Sequence, residues 1–335
     1  MLSGYKNINA KHMIKKAILI LTTLLVSSTA LAASPAKPVE TEQTTNFIVT
    51  PSVAYRYDVF KWSIPHSKFT NYKLSELVWK NHIIQPSIKI ETEPKPTQFT
   101  FLGQVKYGYI LKNPSKSLDY DWDVYKNNTG NIISEPDSKT KSSVKGNILD
   151  LSGAVGYSIN LSNNNLLTFY LGYDYTDYRN KQYGIHQQVN NQNELLYPFN
   201  QLISKYNFKT QSPWVGLSVN SSLTDKFLII PTIKFYSFKY VGKGYWLLRD
   251  ELRQNPSFKH TAKGAGLGFD VDFSYKYSNN LDFKINLETK KFKIKKGKDK
   301  SFFKNEVRED LSSPRNLIHL SLISSSISAG FRYKL

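Results

Sequence analysis

The chain has 335 residues, a net charge of +19 and no cysteine. The lack of cysteine excludes a disulfide framework, a thiolate nucleophile and a thiolate metal site. Beyond the N-terminus no stretch approaches the roughly 20 apolar residues that a membrane helix needs, so an exported β-barrel or a secreted globular protein remains.

Lys11, Lys15 and Lys16 precede the apolar run Ala17 to Val26, and Ala30-Leu31-Ala32 supplies a small-x-small cleavage site. This order predicts a signal peptide over residues 1–32, cut before Ala33, for which Met13 is also a conventional start. Its four lysines (Lys6, Lys11, Lys15 and Lys16) are matched by no acid, which leaves +15 on the mature chain. Such an excess points to an anionic partner. For an exported chain the nearest anions are phosphorylated lipid A and the lipopolysaccharide core, not nucleic acid. Residues 33–46 are rich in Pro and Thr, show no periodicity and read as a short lead.

Ten segments of alternating polarity follow. The first two lie near Phe47 to Tyr57 and Val78 to Ile90. Phe99, Phe101, Val105, Tyr107, Tyr109 and Leu111 then share one face, as do Leu149, Leu151, Val155, Tyr157 and Ile159, and next Leu167, Phe169, Leu171, Tyr173 and Tyr175. Weaker segments lie near Ser204 to Asn220 and Lys226 to Tyr240. Leu267, Phe269, Val271, Phe273, Tyr275 and Tyr277 form another, followed by Leu281, Phe283, Ile285 and Leu287. In the last, Ile323, Ile327, Ala329, Phe331, Tyr333 and Leu335 oppose Ser324, Ser326, Ser328, Gly330, Arg332 and Lys334. Successive strand side chains point to opposite faces, so each segment has one oily and one wet face. A single segment of this kind fits a soluble sandwich equally well. Ten in series, in a chain that is 14% aromatic, fit an outer-membrane barrel with interfacial girdles.

The connections alternate in length. Short ones, Glu91 to Gln98, Ser162 to Asn165, Ser221 to Asp225 and Ser278 to Asn280, are rich in turn formers. Long ones run over Asp58 to Lys73, Lys112 to Ser143, Arg179 to Ile203, Val241 to Thr261 and Lys295 to Arg315. The prediction is an all-β fold: a single ten-stranded antiparallel transmembrane β-barrel over residues 47–335, with short periplasmic turns and long extracellular loops, in the outer membrane of a Gram-negative bacterium. Pro86, Pro213 and Pro231 fall mid-strand, where a bulge or local fraying is expected. Phe227 to Ile230 is apolar on both faces, as at a plug contact or register shift. Lys290, Lys291, Lys293, Lys295, Lys296, Lys298 and Lys300 form a basic run, read as a solvated rim or an anion-attracting mouth.

Several short stretches, in order, resemble the omptins, ten-stranded outer-membrane barrel proteases. They are Leu74-Ser75-Glu76-Leu77-Val78-Trp79-Lys80, Asp119-Tyr120-Asp121-Trp122, Gly172-Tyr173, Pro213-Trp214-Val215-Gly216-Leu217, Lys234-Phe235-Tyr236-Ser237 and Ala329-Gly330-Phe331-Arg332-Tyr333. The resemblance implies that Asp119 and Asp121 match an aspartate pair that positions a water. Two carboxylates can hold and polarise one water while an imidazole removes its proton. The omptin Asp-x-His pair falls instead on Trp246 and Leu248, and the chain contains no Asp-x-His. His260, or His186, is the candidate substitute base. The omptin specificity acids fall near Lys68-Phe69 and on Gly244. Tyr173 and Lys209 match a lipopolysaccharide-binding cluster, in which Tyr175 and Asp177 replace an acid and a base.

Three functions follow as expectations. The scaffold with half its catalytic set replaced suggests a non-proteolytic barrel, either a surface binding protein or a narrow anion-favouring pore. The alternative is an active omptin-type endopeptidase of altered specificity. The expected partners are outer-membrane lipid and lipopolysaccharide, with an extracellular protein or a small anionic ligand, and the expected state is a monomer. No cofactor is expected beyond a lipopolysaccharide requirement.

Overall fold

The computed structural model describes residues 47–335 except 67, 163, 190, 191, 305–314 and 318. The predicted signal peptide over 1–32 and lead over 33–46 lie outside the described residues, as do residues 305–314 of the connection from Lys295 to Arg315. The described chain contains only strands and turns: β1 (Phe47–Pro65), β2 (Lys73–Thr92), β3 (Phe99–Ile110), β4 (Lys116–Lys126), β5 (Ile132–Ser162), β6 (Asn165–Val189), β7 (Gln192–Ser222), β8 (Phe227–Trp246), β9 (Phe258–Lys276), β10 (Leu281–Ser301), β11 (Arg315–Asn316) and β12 (His319–Lys334).

Ten of these strands form a closed antiparallel ring in the order β1, β12, β10, β9, β8, β7, β6, β5, β3, β2, since β1 pairs with both β12 and β2. The tiny β11 pairs with β10, and β4 lies off the ring against β2 and β5. All ten alternating segments read from the sequence are ring strands. All but β3 are also longer than that reading gave. A strand crosses a hydrocarbon core in about 9–11 residues, whereas β5 and β7 each run 31. The excess lies at the end where the long connections were predicted. Much of Arg179 to Ile203 is therefore paired strand of β6 and β7, and Lys112 to Ser143 contains β4 and the extension of β5.

The three prolines interrupt pairing on one side only, without a bulge. The β1–β2 ladder passes through Val53 and Pro86, while β2–β3 pairing skips from Ile84–Tyr109 to Ser87–Lys106 in the same register. Pairing between β7 and β8 likewise skips beside Pro213 and Pro231 and resumes in register. A proline has no N–H to donate, so the ladder loses bonds locally and keeps its alignment. The doubly apolar segment turns Phe227 outward, 52% exposed, and Ile230 toward the interior.

Polarity divides the ring into two tiers. In the lower tier every ring strand puts a large apolar side chain outside, including Val53, Ile88, Val105, Leu171, Phe235 and Ile327, all more than two-fifths exposed. The interior of that tier is ionic. Arg56 meets Asp58 and Asp150 at 2.7 Å each, Glu288 takes both Lys106 and Lys290 at 2.7 Å, and Lys284 meets Asp272 at 2.7 Å. Lys234 with Asp270 at 3.0 Å and Arg332 with Asp282 at 3.2 Å continue the packing. A buried charge is tolerable only when paired, and these pairs fill a lumen of this width.

In the upper tier the sides exchange. On β1 the inward positions change from Arg56 and Asp58 to Phe60, Trp62 and Ile64, and on β8 from Lys234 to Tyr236, Phe238 and Tyr240, while Lys239 turns out. Phe60, Trp79, Tyr178, Tyr206 and Phe208 are buried together in an apolar layer across the interior. Phe208 stacks on Phe60 and Tyr178 at 4.6 Å, and Trp79 on Tyr206 at 4.9 Å. Trp79, fully buried, touches this layer from β2. Trp79→Ala is expected to cost about 3–5 kcal/mol, read as a lowered urea midpoint of the chain refolded in lipid vesicles. A loss below about 1 kcal/mol would contradict a core in the upper tier.

Candidate functional site

Above the apolar layer the strand extensions enclose a mouth cavity of about 190 Å³. β4 builds one wall. It pairs with β2 over Ser75 to Lys80 and with β5, so Asp119 stands between Leu77 and Thr140. Alternation along β4 turns Asp119 into the cavity and Tyr120 to the other face, where Tyr120 stacks on Trp122 at 6.1 Å. Lys73 lies 5.3 Å over Trp122 and Lys139 lies 5.7 Å over Tyr120, holding the outer face of the hairpin. Leu77, Ile185 and Ile203 supply apolar lining, and Trp246, Leu248 and Arg249 complete it.

The two sequence-predicted acids are linked through Ser75. Ser75 Oγ donates to Asp119 Oδ1 at 3.5 Å, and Ser75 pairs in register with Asp121. Asp121 Oδ2 accepts from Ser138 Oγ at 3.2 Å. Burial, followed by the charge of Asp121, pushes the Asp119 carboxyl up to about 8. Burial also raises Asp121, with Asp137 adding to the effect and Arg249 opposing it. Desolvation disfavours the charged form, and two carboxyls this close resist double ionisation. At neutral pH Asp119 is therefore mainly protonated and able to donate a hydrogen bond.

His260 lies elsewhere. It is fully buried, with Trp62 edge-on at 4.7 Å, and it is not among the residues that line the mouth cavity. Its Nδ1 lies 2.8 Å from Tyr206 Oη and its Nε2 3.1 Å from Asp299 Oδ1, and Tyr206 meets Tyr240 at 2.5 Å. His260 Nδ1 and the Tyr206 hydroxyl share one hydrogen bond and the Tyr206 and Tyr240 hydroxyls share another, while Nε2 stands beside Asp299 without an aligned hydrogen bond. These contacts join β7, β8, β9 and β10 inside the upper tier. His186 stands between Lys141 and Leu195, one residue beyond the cavity-lining Ile185.

Gly244 packs against the ring of Phe258, where an added Cβ would come within 1.9 Å, so no acid fits there without moving that ring. On the outer wall Tyr173 is 45% exposed, and Lys209 lies 3.9 Å from Asp177, which Arg179 reaches at 3.2 Å. The basic run is part of strand β10. Lys290 faces inward to Glu288 and Asp174, while Lys293, Lys296, Lys298 and Lys300 are exposed. Sequence reasoning missed Arg249, which sits two residues beyond Leu247 in a stretch with no periodic signal. It also missed the Tyr206–His260–Asp299 contacts, which join residues far apart in the chain. Among the described residues no group of three His, Asp or Glu side chains converges as a metal site would require.

No curated protein matches the chain by sequence. Among solved structures it is similar in fold to the outer membrane protease OmpT from Escherichia coli, with a TM-score of 0.66 at 12% identity over 88% of this chain and 99% of that chain. Looser likenesses are OprG from Pseudomonas aeruginosa (TM-score 0.34, 10% identity, 89% and 99% covered) and the translocator domain of the autotransporter NalP from Neisseria meningitidis (TM-score 0.35, 8% identity, 98% and 99% covered). At these identities the likeness concerns the fold alone. The profile of the family described as Protochlamydia outer membrane protein matches residues 51–335. The chain belongs to the Protochlamydia outer membrane protein family and resides in the outer membrane.

Proposed function

We propose that the ring is a transmembrane β-barrel with its short turns in the periplasm, and that its extracellular mouth is a binding site and not a protease centre. The observation that carries this reading is the presence of Trp246 and Leu248 in the cavity into which Asp119 opens. On an omptin scaffold these positions hold the base and its orienter. An indole and an isobutyl group accept no proton, so a water held by Asp119 has no base on that side. The cavity instead offers apolar walls, the Arg249 guanidinium and a protonated Asp119, a set that suits a small anionic group on an apolar body.

Binding of such a ligand has a defined pH dependence. Below about 8 the Asp119 carboxyl donates to the anion, and above it the carboxylate repels the same anion. Calorimetric titration with phenylacetate is expected to show affinity falling as pH rises through that value. Asp119→Asn flattens the profile, and Arg249→Ala lowers affinity by about tenfold or more, the scale of a lost charge-assisted hydrogen bond. Affinity that rises through the same range contradicts the site.

A second reading, the omptin-type endopeptidase, draws support from the two neighbouring acids held above the ordinary carboxylate range, since two carboxyls sharing a proton are a known water-activating arrangement. Asp119 and Asp121 would hold the water and His260 would serve only after a rearrangement that frees it from Tyr206. Peptide cleavage by folded protein that Asp121→Ala abolishes would establish this reading. We also propose that Tyr173 and Lys209 contact lipopolysaccharide on the outer wall. The lysines of the lower interior favour a narrow anion-selective pore, but each is paired with an acid and the apolar layer lies across the path above them. Planar-bilayer recordings are therefore expected to show no unitary steps, and anion-selective steps would support the pore.

A further inference from the structure

Outside the upper tier, lysines face one another across three neighbouring strands. In register, Lys239 of β8 pairs with Lys263 of β9, which pairs with Lys296 of β10. Four residues further up, Lys243 pairs with Lys259 and Lys259 with Lys300. Five of the six are exposed and Lys259 is half-exposed. Like charges directly opposite on a sheet repel, with Cβ atoms only ~5 Å apart. Here the repulsion is repeated in two parallel rows ~13 Å apart along the strands.

Among the described residues nothing on the wall relieves it. The acids of β9 and β10 (Asp270, Asp272, Asp282, Glu288 and Asp299) all turn inward, and β8 contains none. Among the described residues none of the six lysines has an acidic partner, although Lys300 rests 5.5 Å over the Phe302 ring. A sheet face with six cations and no anion implies an external anionic layer.

The height of the rows identifies that layer. On β8 the outward series reads Phe235, Ser237, Lys239, which puts the first row four residues above an apolar side chain 44% exposed to the hydrocarbon. With strands tilted by about 40° the vertical rise is ~10 Å. That is the headgroup zone, since a bilayer of ~30 Å hydrocarbon is about 40–45 Å thick with its headgroups. Exposed tyrosines instead mark β1 and β3, namely Tyr55, Tyr107 and Tyr109. A third row of the same kind, Lys145 of β5, Lys181 of β6 and Lys205 of β7, continues in register on the adjoining wall.

We propose that the β8–β10 wall is a binding surface for phosphorylated glycolipid headgroups of the outer leaflet, with each row of three lysines holding a phosphate. This goes beyond the mouth cavity and does not depend on what that cavity binds. The site differs from Tyr173 and Lys209, which lie on β6 and β7.

The test is native mass spectrometry of the full chain, refolded with bis-phosphorylated lipid A, with lipid A stripped of its phosphates, or with inorganic phosphate alone. Retention of bis-phosphorylated lipid A alone is expected, weakened by salt. The triple variant K239Q/K263Q/K296Q is expected to lose at least tenfold in retained lipid, and K239R/K263R/K296R to keep it. Folding is checked by heat-modifiable migration, and K263Q, at the centre of the first row, replaces the triple variant if the latter does not fold. Equal retention by the Gln variant, equal retention of dephosphorylated lipid A, or competition by inorganic phosphate at equimolar concentration would each overturn the proposal.

Discussion

The pairing of β1 with β12 closes the ring, and the remaining features depend on that closure. An open sheet of this length would expose two edges of unpaired N–H and C=O groups, which hydrocarbon cannot satisfy. Once closed, the sheet has only an inside and an outside, and each strand must send alternate residues to one or the other. In the proposed transmembrane barrel the outside meets two solvents in succession. Against lipid the outer face must be apolar, so the polar half of each strand is forced inward and has to neutralise itself, as Arg56 does with Asp58 and Asp150. Against water the constraint reverses, and the upper extension has the ordinary core of a soluble protein, centred on Trp79, Tyr206 and Phe208.

This change of solvent positions the mouth. The apolar layer separates the ionic interior from the mouth cavity, so a ligand that enters by the mouth meets Asp119, Trp246 and Arg249 and not the lysines below. β4 can contribute Asp119 because it lies off the ring, added to β2 and β5 where their outer edges run beyond the main pairing. The same layer absorbs His260. Bonded to Tyr206 and set beside Asp299, the imidazole joins four strands and is withdrawn from solvent, a role that accounts for its burial without any chemistry. Fold likeness to a protease thus coexists with a mouth lined by Trp246 and Leu248, and the fold alone does not carry the function.

The ring was legible because a period of two survives in all ten strands and because short and long connections alternate. The exchange of faces was present in the residues but harder to read. In Ile233 to Tyr240 the apolar parity passes from Ile233 and Phe235 to Tyr236, Phe238 and Tyr240, and a count of apolar residues alone merges the two. For this reason the sequence suggested loops where β5, β6 and β7 continue as strands. The place of Trp246 and Leu248 at the mouth was readable by alignment to a family pattern. The burial of His260 was not, because it depends on Trp62 and Asp299, nearly 200 residues before and some 40 after it in the chain. The repulsive lysine rows were equally hidden, since only the strand register reveals that Lys239, Lys263 and Lys296 are neighbours.

The exchange of inside and outside between the two tiers can be measured position by position. Because the chain contains no cysteine, single cysteines can be placed one at a time along β8, from Phe227 to Tyr245, and spin-labelled without background. Accessibility to oxygen, which partitions into lipid, and to a water-soluble nickel chelate then reports the environment of each position. The account predicts that odd-numbered positions see lipid up to Phe235 and water from Lys239 upward, while Tyr236, Phe238 and Tyr240 are reached by neither. Lipid accessibility that persists to Lys243, or water accessibility at Phe238 and Tyr240, would contradict it.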